Sequence, residues 1–247
     1  MLRTYYEKWA VPSNMVMAVV GDVDPDQIRK RIGDLLQDWR SAKVNIPVID
    51  PPAALEEVKA GHLDLPRAQT QLVLGVLTPG LESQERHALE VLDTVLSGMG
   101  GRLFIELRDK QSLAYTVTSF YSPGLDTGSF AFYTAFAPAK FEAVKQALEK
   151  IVADVRQKSI SPEELQRAKD NILGLFEIGL QKNSEQAAEM AFNERYGLGF
   201  DNRYAYVDRI NAVTAADVLS VARRFLDLKK AVAVTVGPVG EWRDSAE

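Results

Sequence analysis

Residues 98–117 decide the fold, and their sequence is GMGGRLFIELRDKQSLAYTV. The glycines follow a helical pattern and accept the backbone angles that a helix end requires. Residues 102–110 then predict a short helix with one apolar face, and residues 113–121 alternate as a strand does. The stretch therefore predicts a helix end, a tight turn, a second short helix and a strand.

An arginine and a tyrosine stand at this boundary, Arg108 near the end of the short helix and Tyr115 in the strand. Arginine offers a rigid fork of N–H donors, and tyrosine offers a phenolic O–H. If both lined one cleft, they could hold a substrate carbonyl or an oxyanion that develops from it. Spacing alone favours a plainer alternative, in which the arginine pairs with Asp109 or Glu106 and the tyrosine packs in the sheet.

The flanking segments predict an α+β domain with a mixed or mostly antiparallel sheet and helices packed on it. Strands are predicted at 69–77, 113–121, 128–136 and 231–236, and the second and third form a hairpin. Helices are predicted at 82–97, at 141–155, from Pro162 towards Lys182, at 184–196, at 203–211 and after Thr214.

The first 42 residues predict a helix end, a strand over Met15–Val20 and a helix that Asp24 caps. Leu2, Tyr5, Tyr6 and Trp9 have the pattern of a helix whose beginning is missing, so we expect a piece of a longer protein. A native start that docks on a partner is the alternative. The strand also resembles residues 230–239, which suggests two similar units.

The expected domain organisation follows from these segments. Residues 1–42 form the tail of a preceding homologous half, and 43–66, which contain four prolines, form a linker. Residues 67–240 form the main domain, and 241–247 form a terminal tail.

Composition excludes several function classes. The net charge of −5 and the sequence pI near 5.3 argue against nucleic acid as a partner. The chain has no cysteine, so it has neither disulfides nor a thiolate metal site. No apolar run is long enough to span a membrane. We expect a soluble domain of the bacterial cytoplasm or periplasm, and the sequence does not choose between them.

A zinc site within this chain is not predicted. A helical H-x-x-E-H would place two imidazoles and a glutamate on one face, but the segment that starts at His87 has Val91 in the last position. We expect His87 to be a surface or helix-start residue and His62 a solvated surface residue. Residues 98–101 match no phosphate-binding glycine pattern.

The stretch SGMGGRLFIELRDKQSLAYTV at 97–117 resembles the second half of the pitrilysin/insulinase family of inverted zinc metallopeptidases, which includes mitochondrial processing peptidase. Residues 6–24 resemble the end of that family's first half. Residues 160–169 resemble the start of its long helix, and residues 232–237 its last strand.

The resemblance implies a clamshell of two α+β halves around a chamber. The first half carries H-x-x-E-H and zinc, and the second contributes an arginine and a tyrosine that contact the substrate. These roles carry over to Arg108 and Tyr115. Because this chain lacks H-x-x-E-H, the resemblance implies a substrate-binding half that is inactive alone, with no metal ligands and with zinc in a complementary half or subunit.

Two functions stay open at this point. One is the substrate-binding half of a zinc metalloendopeptidase, whose partners are a peptide or protein substrate and the zinc-bearing half. The other is a non-catalytic structural or interaction subunit of the same family. An isolated half with an exposed chamber face is also expected to self-associate, so a homodimer is a further possible partner.

Overall fold

A computed structural model describes residues 1–238 and Trp242; apart from Trp242, the predicted tail at 241–247 lies outside the described residues. The chain divides into two compact units. One unit contains Met1–Asp50 and Gly174–Asp208, and the other contains Pro51–Leu173 and the chain from Arg209 onward.

The secondary structure follows the predicted order closely. The helices are α1 (Leu2–Trp9), α2 (Pro25–Leu36), α3 (Arg86–Leu96), a π-helix (Phe104–Lys110), α4 (Phe141–Gln157), α5 (Pro162–Gly179), α6 (Asn183–Arg195), α7 (Asn202–Ala212) and α8 (Ala215–Phe225). Short 3-10 turns lie at Pro12–Asn14, Pro138–Lys140 and Leu228–Lys230. Within the described part of the chain, no helix combines the length and apolar character of a membrane span.

A five-stranded sheet forms the centre of the second unit. Its strands are β1 (Lys59–Leu63), β2 (Thr70–Pro79), β3 (Ala114–Ser122), β4 (Thr127–Phe136) and β5 (Val232–Val236). They lie in the order β1-β5-β2-β4-β3. Among the described strands, β1 and β5 form the one parallel pair, and the other three pairs are antiparallel. The predicted α+β class with a mostly antiparallel sheet is confirmed.

The strand β1 corrects the linker predicted at 43–66. Residues 59–63 pair with 232–236, far away along the chain. Every residue of β1 is exposed, so the segment lacks the alternation that reveals a half-buried strand in sequence. The segment forms a strand because its backbone hydrogen-bonds to the edge of β5. The residue pattern of 59–63 carries no information about this distant partner.

One face of the sheet is buried beneath helices α3, α4 and α8. Alternate residues of β2 point into this core, and the same face of β4 adds aromatic rings. The apolar residues Leu89, Leu92, Val95 and Leu96 of α3 are all buried. Fully buried side chains in this layer include Leu72, Leu74, Phe130, Phe132, Leu89, Leu92, Leu148 and Val144. Removal of this apolar surface from water is the main stabilising contribution in the unit.

The opposite face of the sheet is open. Strand register places Val73 beside Val234 and Tyr133, and Gly75 beside Val232 and Ala131. Val73, Leu77, Phe120, Val232 and Val234 each expose between 39% and 45% of their surface. Together they make an apolar surface across the sheet, of the kind that marks a binding or interaction face.

In the other unit, the predicted strand over Met15–Val20 is wrong within the described residues. Its residues alternate between exposed and half-buried, which is the strand period, but no described segment pairs with them. A strand needs a neighbour for its backbone hydrogen bonds, and period alone does not supply one. The helix that follows begins as predicted, because the Asp24 side chain accepts from the amides of Asp26 and Gln27 at 2.9 and 3.0 Å.

The start of α5 is tied to Arg102, two residues before the π-helix. Ser161 and Glu164 form a reciprocal capping box across the first turn. Arg102 donates two hydrogen bonds to the Glu164 carboxylate, both at 2.8 Å. The guanidinium of Arg102 and these caps lower the pKa of Glu164. This bidentate pair fixes the π-helix segment against α5.

A substitution at Gly101 tests the close backbone approach at the end of α3. A Cβ there would lie within 3.0 Å of the carbonyl oxygens of Ser97 and Leu96, which are backbone atoms that cannot rotate away. We expect Gly101→Ala to lower the free energy of unfolding by about 3 kcal/mol, the upper end of typical overpacking costs. Urea denaturation measures the loss.

Gly100→Ala is the matched control, because the nearest atom to its added Cβ is the Arg167 side chain at 4.0 Å. Its effect should stay within about 0.5 kcal/mol. Equal stabilities of the two variants would contradict the assigned close approach.

Candidate functional site

The chain turns sharply between α3 and the π-helix. Gly98 adopts a φ of +75°, and the Gly101 amide donates to the Gly98 carbonyl at 3.0 Å. The backbone at Gly101 then packs against the last turn of α3. The helix-to-helix turn predicted for residues 98–101 is present, and it sets the direction of the helix that carries Arg108.

The π-helix anchors one side in the core and presents the other to solvent. Leu103 and Leu107 are fully buried, whereas Arg108 is exposed. At its end, the Gln111 amide donates to the Glu106 carbonyl at 3.2 Å, one residue wider than an α-helical turn. Short π segments are rare and occur often at functional sites.

The backbone is strained at Ser112, which lies between Arg108 and Tyr115 in the chain. It has a φ of +50°, the only positive value at a non-glycine residue among the described positions. Its carbonyl accepts a 2.6 Å hydrogen bond from the Lys140 ammonium. A non-glycine residue in this region costs on the order of 1–3 kcal/mol, and such residues cluster at functional sites.

A β-bulge re-aims Tyr115. In the β3–β4 register, Ala114 pairs with Phe136 and Thr116 with Ala135, so Tyr115 is an extra residue on its strand. Tyr115 and Thr116 are consequently both exposed, although a regular strand would turn one of them inward. Tyr115 exposes 72% of its surface, so the packed tyrosine of the plainer alternative is wrong.

The structure brings Arg108 and Tyr115 together. The guanidinium carbon of Arg108 lies 5.1 Å from the Tyr115 ring centroid and 4.8 Å from the Phe104 ring centroid. Glu106 does not pair with Arg108, since its carboxylate accepts from Lys110 and Gln111 instead. Within the described residues, Arg108 has no ion pair, so the plainer alternative is also wrong for the arginine.

Arg108 and Tyr115 line an open cleft of about 570 Å³. Its lining residues are Gln69, Arg108, Asp109, Ser112, Leu113, Ala114, Tyr115, Phe136, Ala137 and Lys140. Sequence reasoning missed Phe104 as the second ring against Arg108, and it missed Lys140. The i, i+4 spacing of Phe104 and Arg108 on a helix was a usable signal for the first. Lys140 had no local signal, because it reaches the loop from a distant turn.

His87 lies at the start of α3, as expected, but it is not a surface residue. Only 4% of its surface is exposed, and its Nε2 accepts from Arg86 Nε at 3.2 Å. Burial, with the positive charges of Arg86 and Arg209, lowers the pKa of His87 from 6.5 to about 4. The imidazole is therefore neutral at pH 7 and belongs to the packed start of α3.

The described residues do not fit a zinc ion. Residues 1–238 and Trp242 contain no group of three or more His, Asp or Glu side chains that could hold a metal. The other histidine, His62, is exposed as predicted and lies on β1, with Nδ1 2.9 Å from Thr235 Oγ1. No chemical step is therefore assigned to a metal in this chain.

Sequence comparison assigns the family. A family profile described as "Peptidase M16 inactive domain" matches residues 1–172. The chain belongs to the peptidase M16 family, as the inactive domain that lies C-terminal in zinc-protease-like proteins. The resemblance to inverted zinc metallopeptidases is thus confirmed.

Relatives with the name "uncharacterized zinc protease" match almost the whole chain. One from Mycobacterium leprae is 30% identical over 249 residues, which cover 96% of this chain and 54% of the relative. One from Streptomyces coelicolor is 30% identical over 259 residues, which cover 99% and 54%. The chain therefore spans about half the length of the curated relatives it matches.

Solved structures confirm the fold. A peptidase M16 inactive domain from Pseudomonas fluorescens superimposes with a TM-score of 0.80 at 21% identity, covering 89% of this chain and 53% of that one. A protease from Helicobacter pylori gives 0.79 at 20% identity, covering 88% and 54%. At these identities the similarity speaks for the architecture alone.

The buried imidazole makes stability depend on pH in a defined direction. The folded pKa of His87 is below its unfolded value, so the unfolded chain binds the proton first. The contribution is intact above pH 6.5 and is lost as the pH falls from 6.5 towards about 4. We expect a loss of up to about 3 kcal/mol over this window, from about 1.4 kcal/mol per pKa unit.

Denaturant unfolding at a series of pH values measures this slope in the wild type and in His87→Gln. In His87→Gln, the dependence of the free energy of unfolding on pH should be much weaker than in the wild type. His62→Gln is the matched control, since it removes the other histidine from an exposed strand. Identical slopes in the wild type and His87→Gln would contradict the assignment.

Proposed function

We propose that this chain is the substrate-binding, non-metal-binding C-terminal half of a zinc-dependent metalloendopeptidase. In this proposal Arg108 and Tyr115 contact the substrate across a chamber, opposite a zinc site in a complementary half or subunit. The chain by itself does not hydrolyse peptides, because H-x-x-E-H is missing from its sequence.

The observation that carries the proposal is the irregular backbone between Arg108 and Tyr115. A π-helix, a residue at positive φ and a β-bulge follow one another directly. Each departs from the most stable local geometry, and together they place a guanidinium over an exposed phenol ring at an open cleft. A merely structural subunit gains nothing from this arrangement, which supports a functional pair.

The chemistry of the pair suits a peptide carbonyl. Two aromatic rings lie near the Arg108 guanidinium, and its N–H groups make no hydrogen bond to the described residues, so these donors remain for a ligand. Tyr115 adds an O–H donor on an exposed side chain. Two such donors could orient a substrate carbonyl and stabilise the negative charge that develops on its oxygen.

The open face of the sheet supports the same proposal. Residues 114 and 116 flank the bulge, so Tyr115 lies at the margin of the face that carries Val73, Phe120 and Val234. In the proposed enzyme this face is a wall of the chamber. An extended peptide would find apolar surface along it and hydrogen-bond donors at its edge.

We also propose that residues 1–42 complete the preceding half, that the stretch from residue 43 up to β1 lies between the halves, and that the main domain extends from β1 onward. Support comes from Met15, Met17 and Val19, which expose 51%, 60% and 47% of their surfaces on one side of an alternating segment. An alternating apolar segment without a described partner is suited to pair with a sheet edge.

Complementation tests the proposed division of labour. Alone, the chain should contain no stoichiometric zinc and cleave no peptide. When it is mixed with the H-x-x-E-H half of the same enzyme, peptide cleavage should appear, because the two halves together supply metal and substrate contacts. Zinc analysis and a fluorogenic peptide assay measure both states. No cleavage with a fully metallated partner half would favour the structural subunit instead.

Substitutions in the complete enzyme test the two residues. We expect Arg108→Ala to lower kcat/KM by about 10²-fold, the lower range for loss of a transition-state donor. Tyr115→Phe removes one hydroxyl and should lower it about tenfold, near the upper value for one hydrogen bond. Both side chains are exposed, so thermal unfolding of the chain should stay close to that of the wild type.

Lys110→Ala is the matched control, since Lys110 is an exposed cation of the same π-helix that does not line the cleft. Full activity of both the Arg108 and Tyr115 variants would show that these residues have no role in turnover.

A further inference from the structure

The cleft beside Tyr115 is electropositive in a protein whose net charge is −5. Its lining contains the cations of Arg108 and Lys140 and one carboxylate, Asp109. Within the described residues none of the three takes part in an ion pair. A local excess of positive charge attracts anionic groups and disfavours cationic ones.

The ammonium of Lys140 is fixed in position and still has donors to offer. Lys140 as a residue is half-buried, and its ammonium donates to the Ser112 carbonyl at 2.6 Å. A lysine ammonium carries three N–H donors, and no second partner of this one exists among the described residues. A restrained lysine loses less side-chain entropy on binding than a mobile one.

The position of Lys140 is adjacent to the proposed substrate contacts. Ser112, to which it is bonded, separates Arg108 from Tyr115 in the chain, and all four residues line the same cleft. A peptide held at its backbone by Arg108 and Tyr115 would therefore present a neighbouring group to the ammonium.

We propose that Lys140 is a specificity-determining residue that binds a carboxylate of the peptide substrate, either an acidic side chain or the C-terminal carboxylate. This inference rests on the proposed function and adds the substrate class: acidic peptides are preferred over neutral or basic ones. The alternative role of Lys140 is only to anchor the Ser112 loop, and the two roles have different consequences.

The test uses the complete two-half enzyme and pairs of peptides that differ by one Glu-for-Gln replacement at successive positions. A second arm compares each peptide as its C-terminal acid and amide, which distinguishes the two sources of the carboxylate. We expect the acidic member of one pair to have a kcat/KM about fivefold higher, the effect of one partly exposed ion pair. The ratio of kcat/KM for the acidic peptide to kcat/KM for the neutral peptide should become smaller when the salt concentration is raised from about 0.1 M to about 1 M. Over this range the Debye length shortens from about 10 Å to about 3 Å, so the ion pair is screened.

Four variants decide between the two roles of Lys140. Lys140→Met should bring the ratio near one, Lys140→Arg should keep it above one, and Lys140→Glu should reverse it towards a Lys-bearing peptide. Lys110→Glu makes the same charge change outside the cleft and should keep the wild-type ratio. If kcat/KM falls equally for both members of every pair in Lys140→Met, Lys140 is only an anchor and the proposal is overturned. Absence of any acidic preference in the wild type also overturns it.

The result can be separated from failure of the proposed function. Arg108→Ala and Tyr115→Phe test the turnover of both peptides, whereas the Lys140 variants test the ratio of kcat/KM between the acidic and the neutral peptide. The affinities of this chain alone for a fluorescently labelled Glu and Gln peptide pair can be measured without the zinc-bearing half. This measurement therefore still decides the proposal if the mixed halves are inactive: equal affinities for both members overturn it, and a preference lost in Lys140→Met supports it.

Discussion

The arrangement of the second unit depends on one close backbone approach, that of Gly101 to the carbonyl oxygens that end α3. No other residue type has room there, because any Cβ would overlap backbone atoms. The turn directs the following helix so that Leu103 and Leu107 enter the core. Leu103 and Leu107 are buried, while Arg108, which directly follows Leu107, is exposed to solvent.

The chain from the π-helix to the bulge then departs from regular geometry in three consecutive places. Local strain of this kind persists only where the surrounding packing determines the conformation. Here the buried leucines fix one end, the pairing of β3 with β4 fixes the other, and the Lys140 hydrogen bond holds Ser112 between them. The exposed guanidinium and phenol are therefore supported by a rigid frame, which is what substrate positioning requires.

The two faces of the sheet have different physical roles. The face under α3, α4 and α8 supplies the apolar burial that stabilises the unit, while the other exposes Val73, Val234 and their neighbours. An exposed apolar face costs solubility and contributes nothing to stability in an isolated chain. In the proposed enzyme, a second half would close the chamber over this face and remove part of it from solvent.

The sequence by itself determined the α+β class, the order of the elements from β2 to β5, the glycine turn and the absence of H-x-x-E-H. These depend on local pattern: helical and strand periods, caps at Asp24 and Thr214, and residue identity. It could propose Arg108 and Tyr115 only through resemblance, since spacing favoured a plainer alternative. The tertiary structure alone decided that 59–63 is a strand, that His87 is buried, that the Phe104 ring lies against Arg108 and that Lys140 lines the cleft. Each of these depends on partners distant in sequence or on the direction of a side chain, and local period carries no information about either.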